Sequence, residues 1–275
     1  MPELPETETI ARDLDRELSG RRIVEVSVTR PDVLREVAPA ALGTRLNNQV
    51  IATTWRRAKL VVIDLSSGDR LVVQPRFTGA LLIDRGDLPE HERLFSTLAL
   101  TLDDGVRLHY RDIRRLGTVA LMDPRRWTEY ESMLGVEPLA SEFTALYLSD
   151  TLRSSRQAIK KVLMDQRRIA GIGNIYANES LWLAGIDPSR PARSLLSPEI
   201  FALHRAITNV LTASIAARGT SFRDYRDASG NRGAFAAQLG VYGRGGSPCN
   251  RCGARLIDTD AVDGRTTVFC ARCQR

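Results

Sequence analysis

At 275 residues, with 43% hydrophobic residues and a formal net charge of +6, the chain is long enough for two domains, or two plus a small appended module. No window holds eighteen uncharged apolar residues, and the acidic start MPELPETE lacks the basic and apolar regions of a secretory signal, which argues against a membrane span or a leader and for a cytosolic protein. The charge is uneven: the first 150 residues carry 20 Lys and Arg against 24 Asp and Glu, the rest 19 against 9, so the C-terminal half expects a polyanionic partner, nucleic acid before others, or is a merely soluble basic surface.

In chain order, residues 4–18 read as a helix, acidic at its start, with Ile10, Leu14 and Leu18 on one face. Eight β-rich runs follow, at 22–29, 49–55, 59–65, 70–74, 79–84, 96–102, 106–110 and 117–122, separated by turn residues such as Ser67-Gly68 and Asp104-Gly105. Short strands at this density predict an antiparallel sandwich or barrel. Asp123-Pro124 and the stretch from Gly135 to Pro138 interrupt that pattern. From about 141 to 217 the texture is helical, with apolar residues at three- to four-residue spacing in 157–164, 175–184 and 198–216. Residues 219–240 are polar and glycine-rich, including Ser229-Gly230-Asn231-Arg232-Gly233, and read as a loop with strand edges.

The chain closes on Cys249, Cys252, Cys270 and Cys273, two C-x2-C pairs 17 residues apart. In a cytosolic setting that spacing predicts one four-thiolate zinc site, closed and therefore structural, with a hairpin between the pairs. Basic residues are nearly all Arg, and the only lysines are Lys59, Lys160 and Lys161. Arg is broader than an ammonium and does not release its proton, so the lone Lys59 in the first 150 residues stands out.

Two segments can carry chemistry. In 159–182, Lys160, Lys161, Arg167 and Arg168 precede a Gly171-x-Gly173-Asn174 turn that opens a second helix. Its free amides suit a phosphate, with Asn174 as cap or donor, although an ordinary helix joint with a glycine cap reads the same way. At the N-terminus, Pro5 and Glu6 suit a helix start, and Pro2 less so. Removal of Met1 would leave Pro2 a secondary amine with a pKa of roughly 8, partly neutral at physiological pH. Such an amine attacks an anomeric carbon to give an iminium, with Glu3 and Glu6 beside it as acid and base.

In order along the whole chain, P-E-L-P-E (2–6), R-A-K ending at Lys59, G-V-E-P-L (135–139), L-M-D-Q (163–166), G-I-G-N-I-Y (171–176), V-Y-G-R (241–244) and G-R-T-T-V-F-C-A-R-C-Q (264–274) resemble the formamidopyrimidine-DNA glycosylase family. The resemblance implies an α+β multidomain fold. A catalytic β-sandwich with an N-terminal helix would span 1–134, and a helix–two-turn–helix domain with a lesion-recognition loop at about 219–240 would span 135–240. A β-hairpin zinc finger would occupy 241–275. It implies excision of oxidised purines, 8-oxoguanine and formamidopyrimidines, from damaged duplex DNA, followed by β,δ-elimination through a Schiff base on Pro2. Glu3 would donate a proton at the sugar ring and Glu6 would support the transfers. Lys59, Asn174 and Arg265 would grip phosphates, and Lys160, Gly173, Tyr176, Arg115 and Arg244 would also face DNA. Glycosylases of this kind extrude the damaged nucleotide.

The chain departs from the family pattern at Gln74-Pro75-Arg76-Phe77-Thr78-Gly79, where H-L-G-M-T-G is usual, and at Arg111 to Gly117, where N-D-P-R-R-F-G is usual. Phe77 then stands at the wedge, Arg114 at the reader of the orphaned cytosine, and Leu116 in place of an aromatic filler; Phe77 and Leu116 read as a compensating exchange or as plain packing. His91, His109 and His204 fall in no motif. Two other readings stay open: an endonuclease VIII-like enzyme for oxidised pyrimidines, which P-E-L-P-E in place of P-E-G-P-E disfavours, and a non-catalytic zinc-dependent DNA-binding protein. A bacterial cytoplasmic, nucleoid-associated monomer completes the expectation.

Overall fold

A computed structural model of the chain describes residues 2–222 and 224–275; Met1, whose removal the sequence reading invokes, lies outside the described residues. The chain forms two compact units, Met1–Ser132 with Ala217–Ala236, and Met133–Ala216 with Ala237–Arg275.

The first unit opens with α1 (Leu4–Leu18), then β1 (Ile23–Val28), β2 (Leu34–Arg35), α2 (Pro39–Leu46), β3 (Ile51–Arg57), β4 (Leu60–Leu65), β5 (Arg70–Gln74) and β6 (Gly79–Asp84). It continues through α3 (Glu90–Arg93), β7 (Ser96–Leu102), β8 (Arg107–Asp112), β9 (Thr118–Met122) and α4 (Pro124–Glu131). One sheet has the order β1-β7-β8-β6 and the other β2-β9-β5-β4-β3. Alternation along each strand sends one set of side chains inward: Leu98, Leu100, Leu108 and Tyr110 from the first sheet meet Val61, Ile63, Leu71, Val73 and Val119 from the second in one continuous core. The sandwich read from the strand pattern is therefore present. Its one parallel pairing, β2 with β9, involves a two-residue strand too short to leave a sequence signal.

Helix α1 closes one edge of this core with Ile10, Leu14 and Leu18, all fully buried, and each contributes about 1.5–3 kcal/mol of burial. Asp15 on the same helix accepts from Thr53 Oγ1 at 2.8 Å and from the Thr54 amide at 2.7 Å, which docks the helix on β3. The Thr54 amide also holds the Asp15 carboxyl below its ordinary value.

The segment Ala217–Ala236 belongs to this unit and not with the helices that precede it, a correction to the boundaries read from sequence. Tyr225 and Ala228 lie in the sandwich core, the Ile83 amide donates to Ala228 O at 2.9 Å, and those tertiary contacts have no local signature. Among the described residues the expected strand edges reduce to one bridge between Thr220 and Ala234.

The second unit contains α5 (Ala145–Leu152), α6 (Ile159–Leu163), α7 (Asn174–Ala184), α8 (Ser197–Ala216) and the hairpin β10 (Ile257–Thr259) with β11 (Thr267–Phe269). Helix α6 has five residues only. The turn from it into α7 is stapled by Gln166, whose Nε2 donates to Met164 O at 2.9 Å and Ile172 O at 2.8 Å while its Oε1 accepts from the Gly171 amide at 2.8 Å.

Candidate active site and nucleic-acid interface

The start of α1 is a buried acidic corner. Pro2 is buried, and Glu3 and Glu6, though carboxylates, are 1% and 0% exposed. Glu3 is the N-cap and shares a capping box with Glu6: the Glu3 amide donates to Glu6 Oε2 at 2.9 Å, and the Thr220 amide donates to Glu6 Oε1 at 2.7 Å. Buried carboxylates are costly unless hydrogen-bonded, and here the helix N-terminus and the 217–236 segment supply the donors. Two acids are thereby fixed on the first turn of the helix that directly follows Pro2 in the chain.

Lys59 is on the two-residue turn joining β3 to β4, where Arg57 pairs with Leu60. Its neighbour Ala58 has φ 53, the sign that such tight hairpin turns require. Thr7 Oγ1 lies 2.8 Å from Glu3 O and 3.5 Å from Ala58 O, so the first turn of α1 and the hairpin tip share a hydroxyl. Arg56 adds an ion pair to Glu8 at 2.7 Å and a bond to Ala58 O at 3.1 Å. The hairpin tip that carries Lys59 therefore lies against the first turn of α1, where Glu3 and Glu6 sit.

Phe77, Arg114 and Leu116 occupy two turns, β5–β6 and β8–β9, bound together from beneath. Asp112, 1% exposed, accepts from Thr78 Oγ1, from the Gly117 amide at 2.8 Å and from Tyr110 OH at 3.3 Å. The Arg114 amide donates to Thr78 Oγ1 at 3.0 Å. Gly117 has no room for a side chain, since a Cβ there would lie 1.9 Å from Tyr110 OH. Above this base Phe77 and Leu116 are 47% and 39% exposed, and the Arg114 guanidinium lies 5.4 Å from the Phe77 ring centroid. Plain core packing does not describe such exposure. Arg115 pairs with Asp32 at 3.0 Å on the surface.

In the second unit the zinc hairpin is held by polar side chains. Lys160 is 0% exposed; its Nζ donates to Thr267 Oγ1 at 2.8 Å, Asp263 Oδ1 at 3.0 Å and Thr266 O at 3.2 Å. Asn174 Nδ2 donates to Thr266 O at 2.9 Å, and the Val268 amide donates to Asn178 Oδ1 at 2.8 Å. Arg265, at the turn so braced, is exposed. Glu179 on α7 accepts from the amides of Gly240, Val241 and Tyr242 at 2.8, 2.9 and 2.7 Å. Burial nonetheless pushes its carboxyl above the ordinary value.

The four cysteine sulfurs lie within 4.8 Å of one another, with Cys249 Sγ 4.0 Å from Cys273 Sγ and Cys252 Sγ 3.5 Å from Cys270 Sγ. A tetrahedral zinc with Zn–S bonds near 2.3 Å needs sulfurs roughly 3.8 Å apart, whereas a disulfide needs about 2 Å. The donor set fits one structural zinc.

The formamidopyrimidine-DNA glycosylase N-terminal domain profile matches residues 1–119, the H2TH domain profile of the same protein matches 134–226, and the profile of a zinc finger found in FPG and IleRS matches 246–275. The chain is 41% identical over 274 residues to the formamidopyrimidine-DNA glycosylase of Chloroflexus aggregans, covering 100% of this chain and 98% of that one. It is 39% identical to that of Desulforamulus reducens, covering 100% and 99%. The chain belongs to the formamidopyrimidine-DNA glycosylase family. Among solved structures, a Lactococcus lactis FPG mutant bound to DNA containing Fapy-dG superposes with a TM-score of 0.92 at 32% identity over 100% of both chains. MutM (FPG) of Thermus thermophilus gives 0.87 at 33%, over 99% of this chain and 98% of that one.

Two sequence expectations, Lys160 and Tyr176 as side chains facing DNA, need correction. Lys160 is a buried anchor of the hairpin and presents no ammonium to a phosphate. Tyr176 is 0% exposed, with its hydroxyl 2.6 Å from Ser214 Oγ, and joins α7 to α8 inside the unit. The Arg244 guanidinium is occupied by Gly240 O at 2.6 Å, Pro248 O at 3.1 Å and Asn250 Oδ1 at 2.8 Å, and so braces the cysteine loop. Basic or aromatic character in a motif does not distinguish an anchor from a contact; burial does. Gly173, not Asn174, is the N-cap of α7. Sequence reasoning assigned no role to Gln166, Glu179 and Asp112, although Gln166 stood in the L-M-D-Q run and Asp112 in the Arg111 to Gly117 stretch. The histidines join no site: His109 is buried with Nδ1 2.9 Å from Ser96 Oγ, and His204 Nε2 is 2.6 Å from Phe143 O.

Proposed function

We propose that this chain excises oxidised purines, 8-oxoguanine and formamidopyrimidines, from damaged duplex DNA with Pro2 as nucleophile. The observation that carries the reading is the buried Glu3–Glu6 pair fixed on backbone amides in the turn that directly follows Pro2, with the hairpin tip that carries Lys59 against the same turn. The neutral amine attacks C1′ of the extruded nucleotide, and the base departs with the electron pair of its glycosidic bond. Glu3 protonates the ring oxygen as the sugar opens, which leaves an iminium between Pro2 and C1′. Loss of a C2′ proton, assisted by Glu6, then expels the 3′ phosphate, and a second elimination expels the 5′ phosphate. Lys59, Asn174, Gly173 and Arg265 hold phosphates of the lesion strand by charge and amide donors. Phe77 enters the emptied stack, with Arg114 reading the opposite cytosine and Arg115 and Leu116 alongside. The sandwich is the catalytic domain, and the helical unit with its zinc finger the DNA-gripping one. We take the protein to act as a monomer on the nucleoid of a bacterial cytoplasm.

A Lactococcus lactis FPG structure holds DNA with an oxidised pyrimidine, so such lesions are a second substrate class to test. Borohydride reduction on 8-oxoguanine duplex should cross-link the protein to DNA through Pro2. Acetylation of the terminal nitrogen should abolish cutting; an acetylated protein that cuts at the unmodified rate would overturn the mechanism, and a protein that binds without trapping would be the non-catalytic alternative.

A further inference from the structure

We propose that Arg218 is a positioning residue of the excision chemistry: it latches the 217–236 segment to α1 and so keeps the Thr220 amide on the Glu6 carboxylate. The inference rests on the assignment of Pro2 and Glu6 above. Arg218 Nη2 lies 2.5 Å from Asp13 Oδ2 and 2.6 Å from Asp227 Oδ2, and its Nε lies 3.1 Å from the latter. Asp13 is on α1, two helical turns from Glu6, and Asp227 is on the return of the segment. Both are buried, at 3% and 1%, and Asp227 Oδ1 also accepts from the amides of Ser229 and Asn231 at 3.1 and 2.8 Å. One guanidinium therefore joins helix, segment root and segment return.

Arg218 has φ 60, a left-handed backbone that is costly for a side-chain-bearing residue. The chain accepts that cost where the two carboxylates and a bond from Tyr225 OH to Arg218 O at 3.1 Å hold it. The next residue, Gly219, has φ +84, and a Cβ there would come within 3.0 Å of Glu6 Cγ and Oε1 and 3.1 Å of Tyr225. The backbone thus presses against the Glu6 side chain with no slack. Thr220 then delivers its amide to Glu6 Oε1 at 2.7 Å. Loss of the latch frees the strained residue to relax and withdraws that donor. A displacement on the scale of an ångström at a proton-transfer group can cost about 100-fold in rate, with little effect on phosphate contacts made elsewhere.

The test compares wild type with Arg218→Met, Arg218→Lys and Asp227→Asn. The readouts are the single-turnover excision rate at saturating enzyme, the Kd for a duplex with a tetrahydrofuran abasic analogue, and the melting midpoint. Arg218→Met should lose between about 10- and 100-fold in rate with Kd within about threefold. Arg218→Lys should recover the midpoint but only part of the rate, because an ammonium does not reproduce the two-pronged geometry. Asp227→Asn keeps the Asp13 arm and gives the same readout if the methionine variant does not fold. A folded Arg218→Met or Asp227→Asn protein with a rate within twofold of wild type overturns the proposal. So does a loss that follows the midpoint alone and is fully restored by Lys. Borohydride trapping of the wild type runs in parallel: trapped wild type with unimpaired variants sinks the latch alone, whereas untrapped wild type sinks the Pro2 assignment and the latch with it.

Discussion

The sandwich surrounds its proposed catalytic corner with one apolar core drawn from two sheets, α1 and α2, whereas the zinc module has a small apolar cluster of its own, Val241, Cys249, Leu256, Val268 and Cys270. The first unit therefore holds position by area, and polar bonds at Glu3, Glu6 and Asp15 only tune it. The zinc module lacks the area, and its hairpin depends on a metal and on buried polar anchors: Lys160, Asn178, Glu179, and Gln274, which donates to Ile186 O at 2.8 Å. Hydrophobic burial is additive and forgiving of a single loss, whereas a buried charge with one partner removed is not.

Zinc removal is the severest way to strain that contrast. Structural zinc contributes on the order of 10 kcal/mol to modules of this size. Chelation or Cys270→Ser should abolish hydrogen-exchange protection of 257–269 and weaken lesion-DNA binding by about 100-fold or more, while the sandwich amides keep theirs. Loss of protection across both units together would break the comparison. Next comes Lys160→Met, which leaves the Asp263 carboxylate buried without its cation. That should cost about 3–5 kcal/mol in urea unfolding of the second unit, largely recovered by adding Asp263→Leu; a cost below about 1 kcal/mol would show the pair to be incidental. The smallest effect belongs to the first unit. Burial pushes the Glu8 carboxyl up, but Arg56 and Arg12 together hold it below its ordinary value. A depressed carboxyl stabilises the fold above the unfolded value of about 4.5, and that contribution is lost as pH falls through the folded value. Arg56→Met should flatten this acid limb by at most about 1 kcal/mol, read from denaturation midpoints between pH 3 and 7.

Much of this molecule was legible in its sequence because its signals are local. The strands at 70–74, 79–84 and 96–102 were read at the boundaries later observed, since period-two burial writes itself directly into residue order. The cysteine spacing forecast the zinc-ligand cluster for the same reason. Where a residue's role depends on what lies above it, the sequence misled: Lys160 and Tyr176 have the chemistry of DNA contacts and the burial of anchors.

By itself, then, the sequence determined most of the strands, the cysteine cluster and the family. Only the tertiary structure decided that residues 217–236 return to the sandwich, that Thr220 is placed on Glu6, and that Arg218 bridges Asp13 and Asp227. Those pairings join residues up to 214 positions apart, and a hydrogen bond acts over about 3 Å in space, so residue order carries no trace of it until the chain has folded.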